Sequence, residues 1–299
     1  MATPVADTTQ ALEALMFGPA DYIYHPFLES RIRDESQRCP RFLFRTWLGS
    51  APSKQVEDTK QSVRPRRFPK LDGHISVNTF SQNDLIQAAK SHLHKDRADR
   101  SHFSSWTHSW QHLTRALSDY MRSSKTQSME DVNISIIDTK ELPETNVVMH
   151  TSVFHNLDPE VPDVPWTFLA FGIISGKHYK TVSLDRIFAA VDMSTVSVGL
   201  WPYFTRQRAA IENAQKFGRC FGKYFSLPIA VTLLSFPEDG WRLSWIANQY
   251  SELNKVIEAL QLYEFPKSWA EDPTIMAARA YPACAGDFER FLFLLRKLI

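Results

Sequence analysis

Cysteine is scarce in this sequence: Cys39, Cys220 and Cys284 are the only three, and no two stand close together. An odd, scattered set builds neither a disulfide framework nor a zinc-ligand pattern, so reduced, packed thiols are expected. Glycine is sparse as well, with ten in 299 residues. No G-x-G-x-x-G, G-x-x-x-x-G-K-[ST] or G-x-S-x-G occurs, and the nearest glycine pair, Gly172 and Gly176, has the wrong context. Those gaps remove the Rossmann, kinase-type and α/β-hydrolase readings. Charge of one sign is also lacking: 34 Lys and Arg face 33 Asp and Glu, a net +1. No global field draws the chain to nucleic acid or anionic lipid. No apolar run approaches the ~20 residues of a membrane-spanning helix. The opening MATPVADTTQALEALMF lacks the basic and long apolar regions of a secretory signal. A cytoplasmic protein with no membrane partner is the expectation.

What the chain does have is hydrophobic mass. Hydrophobic residues make up 43%, including eight Trp and twenty Phe, enough to bury a core without staples. Short strands mixed irregularly with helices, rather than a βαβ alternation, predict an α+β fold: a mixed or antiparallel central sheet with flanking helices and a helical C-terminal part. Strands are expected near 42–47, 74–78, 133–138, 146–150, 168–174 and 229–236, the last on an unbroken apolar run. Residues 49–70, polar and rich in charge, read as a mobile loop whose Arg64, Arg66, Arg67 and Lys70 are solvated. Helices are expected from Asp7 to Phe17, after the Ser81/Asp84 cap, along the face Leu113, Ala116, Leu117, Tyr120 and Met121, and after Thr205, Ser251 and Asp287. A composition shift near Met193–Pro202 suggests a core of residues 1–192 and a C-terminal subdomain of residues 193–299 packed on it.

Few constellations can carry chemistry. Five histidines, His92, His94, His102, His108 and His112, fall within twenty-one residues. His108 and His112 share a face if 108–122 is helical, but no HExxH accompanies them, and no metal is expected. A second set is Arg45 inside an aromatic strand, Ser104-Ser105-Trp106-Thr107 before an amphipathic helix, and Ile136-Ile137-Asp138-Thr139. Arginine presents a planar fork for phosphate, the hydroxyls donate or accept, and Trp106 suits stacking on a planar ring. Arg45, Ser104, Ser105 and Trp106 are therefore expected to line one cleft. The same residues also suit structural roles: Arg45 in an ion pair, Ser104 and Ser105 as caps of the following helix, Asp138-Thr139 as a turn ending a strand.

The ordered motifs LFR, SSWT-x-S, ISIIDT-x-x-L, NVVMH and FLAFGIISGKHYKTVSL, over residues 40–185, resemble a group of uncharacterised fungal proteins. In motif order that group resembles the ADP-ribosyltransferase superfamily. The resemblance implies an ADP-ribosyltransferase-like fold, a transferase that binds a nucleotide-like small molecule, and NAD as cofactor; the residues themselves name none. Arg45 would hold phosphate or ribose. Ser104, Ser105 and Thr107 would brace the nicotinamide pocket, with Trp106 and Asp138 among the ligand-binding residues. The chain departs from the pattern at the catalytic Glu: PWTFLAFG, residues 165–172, has no carboxylate, and Thr167 stands in its place. Glu160 and Asp163 are near in sequence only. Binding without ADP-ribosyl transfer is the expectation, and no catalytic residue is assigned.

Two alternatives stay open. VSVGLWPYF at 196–204 and Glu264-x-Pro266 resemble motifs of cyclodipeptide synthases, although Trp201 replaces their nucleophilic Ser and Leu260 their Tyr. Fungi also contain arginine-using cyclodipeptide synthases on another scaffold, tRNA-dependent enzymes of secondary metabolism. Such an enzyme takes aminoacyl-tRNA and needs a basic track, here Arg64–Lys70, Lys95–Arg100 and Arg206/Arg208. The other alternative is a non-catalytic interaction module. Nothing in the sequence sets an oligomeric state.

Overall fold

The structure is a computed structural model that describes residues 32, 34–51, 53–68, 75–94, 101–122, 128–191 and 208–234. Among the described residues nine strands form two sheets. The main sheet holds β1 (Phe42–Leu48), β4 (Phe103–Thr107), β5 (Val132–Asp138), β6 (Val147–His150), β7 (Thr167–Phe171) and β9 (Tyr179–Ser183) in the order β6-β7-β4-β1-β5-β9. The smaller sheet holds β2 (Val56–Asp58), β3 (Ser62–Pro65) and β8 (Ile174–Ser175). Every paired neighbour runs antiparallel. The described helices are α1 (Gln82–Leu93), α2 (Trp110–Arg122), α3 (Thr151–His155), α4 (Leu184–Ala190), α5 (Arg208–Cys220) and α6 (Lys223–Leu234). This is the α+β class, an antiparallel central sheet with flanking helices.

Strand alternation sets the layers. From β1, Phe42, Phe44 and Leu48 join Val132, Ile134, Ile136 and Val182 in a core with Trp110, Leu113 and Leu117 of α2 and with buried residues of α4, α5 and α6. From β4, β6 and β7, Phe103, Val147, Met149, Leu169 and Phe171 pack with Leu85, Ile86 and Ala89 of α1. The opposite face, with Leu43, Trp106, Ile137 and Phe168, is covered by Val56, Val63 and Ile174 of the small sheet. The helices thus form two groups, and the line between them runs over the neighbours β4 and β1.

Four expectations from sequence are corrected. The run expected as a strand at 229–236 is α6 as far as Leu234. It is buried all along Phe225–Leu233, and a helix apolar all round shows no period that separates it from a core strand. Pro228 sits inside it, and Gly218 of α5 lets it approach, since a Cβ there would lie 2.3 Å from the Ser226 carbonyl oxygen. Residues 49–70 are not a loop throughout: Val56 and Val63 are buried at 1% and 0% exposure and pair β2 with β3 into the layer over the main sheet. Their basic side chains are used internally, Arg64 on the Phe68 carbonyl (2.7 Å) and Glu57, Arg66 on the Ser53 carbonyl (2.9 Å). Around 74–78, Ser76 caps a 3₁₀ turn, Val77–Thr79, instead of a strand. The strand expected at 168–174 is split at Gly172, whose φ of +99° and contact with Asn146 turn the chain into the second sheet. The helices expected at 7–17 and after Ser251 and Asp287, the Thr205 cap, the stretch 196–204, Lys95–Arg100 and Glu264-x-Pro266 lie outside the described residues. Among the described residues no helix is long and apolar enough to cross a membrane.

Candidate functional site at the seam between two strands

β1 pairs with β5 over seven register positions, Phe42↔Asp138 to Leu48↔Val132, but meets β4 at one only, Phe44↔Thr107. Continued, that register would set Arg45 against Trp106 and Thr46 against Ser105. The ladder stops instead, and the Arg45 guanidinium enters the seam. Its Nη1 donates to the Ser105 carbonyl at 2.9 Å. Its Nε and Nη2 donate to the two carboxylate oxygens of Asp58 on β2, at 2.8 and 2.9 Å. The side chains are 12% and 5% exposed, so this is a bidentate, largely buried ion pair. Burial works against the Arg45 charge, but Asp58 beside it outweighs burial and holds its pKa above the ordinary value.

Around this pair lies a polar chain in which each donor has an acceptor. Trp47 Nε1 donates to Ser135 Oγ (2.9 Å), which lies 2.6 Å from Thr181 Oγ1. Thr181 donates to the Tyr179 hydroxyl (2.6 Å), which donates to the Thr59 carbonyl next to Asp58 (2.7 Å). Burial pushes the Tyr179 pKa up, so it stays a donor. A satisfied network of this kind fixes the small sheet on the large one.

Alternation separates the residues expected in one cleft, and that expectation is corrected. Arg45, Ser104 and Trp106 face the small sheet; Ser105 and Thr107 face the helices. Ser104 is fully buried, accepts from Trp106 Nε1 (2.9 Å) and donates to the Ala170 carbonyl (3.5 Å). Trp106, 2% exposed, makes a T-shaped contact with Tyr179 and is buried in the layer between the sheets, where no ligand ring reaches it for stacking. Ser105 is half-buried, and its Oγ lies 2.7 Å from Nε2 of His92. Ser104 and Ser105 cap no helix; Ser109 accepts from the His112 amide at the start of α2 (3.3 Å). Thr107 lies opposite Thr167 on β7, so the strands carrying Arg45, the SSWT segment and Thr167 are adjacent. The seam is flanked on the small-sheet side by Arg45 and Asp58, which reach β4 at the Ser105 carbonyl, and on the helix side by Thr46 and the contact of Ser105 with His92.

Asp138 is elsewhere, at the end of β5. Fully buried, it accepts from Arg41 Nε and Nη2 (both 3.0 Å), from the Lys140 amide (3.1 Å) and from the hydroxyl of Tyr224 on α6 (2.5 Å). Burial pushes its carboxyl up, against the pull of Arg41 and Tyr224. It anchors α6 and ends the strand in a turn.

The histidines are dispersed. His108 precedes α2 and makes a T-shaped contact with Phe168. Among the described residues no three His, Cys, Asp or Glu are placed to hold a metal. His102 lies among the rings of Phe68, Phe80 and Phe171 at 6.1, 4.8 and 6.2 Å. Burial, with Arg67 adding to it, lowers its pKa from 6.5 to about 4. The unfolded chain therefore binds the proton first, and the stability His102 lends at neutral pH is lost as pH falls from about 6.5 towards 4. Urea unfolding across that range is expected to show a steeper acid loss for the wild type than for His102→Gln; parallel curves would contradict it.

Asp58 was not singled out in the sequence, and His92 was noted only as one of five clustered histidines, not as a partner of Ser105. Asp58 lay in the apparent loop. His92 did leave a signal, falling in step with Leu85 and Ala89 on the apolar face of α1.

No curated protein and no solved structure matches the chain. Residues 38–167, from just before β1 to the first residue of β7, match a family model described as a domain of unknown function (DUF7587), and every residue of the seam lies inside that match.

Proposed function

We propose that the seam between β1 and β4 binds a nucleotide-like small molecule, on a cytoplasmic, transferase-type protein that does not carry out ADP-ribosyl transfer. One observation carries the reading: the ladder ends after a single pair, beside the largely buried Arg45 and the partly buried Thr46 and Ser105. Backbone groups that a continued ladder would occupy then face one another with hydroxyls and a guanidinium among them. Arg45 spends three of its five N–H groups on Asp58 and Ser105, which leaves two for a ligand. The ADP-ribosyltransferase-like resemblance gives ligand holding, bracing and catalysis to three strands, and here those strands are β1, β4 and β7, side by side. Thr167 brings a hydroxyl in place of a carboxylate, and losing one such charge-stabilising group costs about 100- to 1000-fold in rate.

Calorimetric titration of the full chain with NAD, ADP-ribose and ATP tests this. At least one is expected to bind, and Ser105→Ala to weaken it about threefold to tenfold, the worth of one hydrogen bond. No binding by any of the three, or an affinity indifferent to Ser105→Ala, would sink the reading.

A second reading, aminoacyl-tRNA-dependent chemistry, is favoured by a different observation. The contact of Ser105 Oγ with His92 sets a hydroxyl beside an imidazole, the arrangement acyl transfer uses. A charged-tRNA pool that yields an arginine-containing cyclic dipeptide with this protein would support it.

A further inference from the structure

We infer that Ser105 and His92 form a nucleophile–base pair that takes an acyl group from an activated ester. The inference rests on the seam being a ligand site and deepens the second reading. Three features of the site carry it. The first is distance: 2.7 Å between Ser105 Oγ and His92 Nε2 is within the range for proton transfer between a nucleophile and its base. The second is asymmetry of exposure, with His92 4% exposed and Ser105 half-buried, so the base is sheltered and the hydroxyl is the more accessible of the two.

The third is that both residues are held from behind. His92 lies in the last turn of α1, where carbonyls lack helical partners, and its own carbonyl accepts from Gln55 Nε2 at 3.2 Å. The Ser105 carbonyl accepts from Arg45, which Asp58 fixes in turn. The strand and the helix end are thus tied to the segment around β2, and the two reacting side chains sit on restrained backbone.

The step balances with no further reactant. Ser105 Oγ attacks the acyl carbonyl carbon while its proton passes to His92 Nε2, with Nδ1 carrying the other proton. The bond from carbon to the leaving oxygen breaks, His92 returns the proton to that oxygen, and an ester on Ser105 remains. Water or an amine then attacks that ester by the same route in reverse.

The test uses the full chain with p-nitrophenyl acetate and with a fluorophosphonate, read by intact mass and peptide mapping. One acyl or phosphonyl group on Ser105 is expected, at a rate that rises with pH as the imidazole loses its proton. His92→Gln keeps a hydrogen-bond partner for Ser105 but removes the base; it is expected to slow labelling about 100-fold or more and flatten the pH profile, with its melting curve serving as the fold control. Labelling at another residue, no labelling, or a rate unchanged in folded His92→Gln would overturn the inference. Mapping and pH profile need only the wild type, so a variant that does not fold leaves the test standing. Nucleotide titrations that fail while Ser105 is labelled would refute the nucleotide reading alone.

Discussion

Asp58→Ala is expected to cost about 3–5 kcal/mol of folding stability, the usual penalty for removing one partner of a buried ion pair. The reason is the charge left behind. Arg45 is only 12% exposed, its fork is shaped to the two Asp58 oxygens, and without them two donors lose charged acceptors in a place water reaches poorly. Attraction in the pair is of little net worth once desolvation is counted, so the double variant Arg45→Met/Asp58→Leu is expected to fall near the wild type. Urea unfolding of the three variants measures both. A loss below about 1 kcal/mol for Asp58→Ala would place the pair in the class of solvated surface bridges and remove Arg45 as a fixed element of the seam.

Trp110→Ala carries the second large effect, about 3–5 kcal/mol. Trp110 opens α2 at 1% exposure and meets Phe44 of β1 edge-on at 5.4 Å and Phe217 of α5 at 5.7 Å. It joins three elements in the core behind the sheet, and its removal leaves a hole bounded by two other rings with few means of collapse. Trp110→Phe is expected to recover more than half of the loss. Chemical denaturation gives both numbers, and an effect under about 1 kcal/mol for the alanine variant would mean that α5 does not close over this side chain.

The pattern of what the sequence disclosed follows from which forces are local. α1 and α2 were legible because burial on one face writes a period into the chain, as at Leu113 and Leu117; β1, β5 and β6, buried on both faces, were legible as short runs of β-branched and other apolar residues. α6 was not, because burial on all sides erases the period. β2 and β3 were hidden by composition, since their polar residues find partners far off in the chain or across a tight turn, and only Val56 and Val63 face the core. β4 was anticipated as a bracing strand by resemblance alone, and β9 was not expected as a strand.

The site divides the same way. Arg45, Ser105 and Thr107 stood out by residue type and order, yet which face each presents depends on the register Phe44↔Thr107, a fact of tertiary pairing. The partner of Arg45 is thirteen residues away in sequence and that of Ser105 likewise, each on an element whose position no local pattern fixes. Asp138 was read as a turn residue and as a ligand-binding residue; in the structure it bonds Arg41, Tyr224 and the Lys140 amide.

The central claim is that a ligand enters between β1 and β4, and hydrogen–deuterium exchange of the full chain tests it most directly. NAD, ADP-ribose and ATP are added in turn, and exchange is followed peptide by peptide. Beyond the single pair Phe44↔Thr107 the facing amides have no strand partner across the seam, so an occupant there protects them. The expected result is slowed exchange at 45–48 and 103–106 with at least one of the three, and no comparable change at β6 or β9. Saturable binding with unchanged exchange at both segments, or protection confined to another part of the chain, would contradict it.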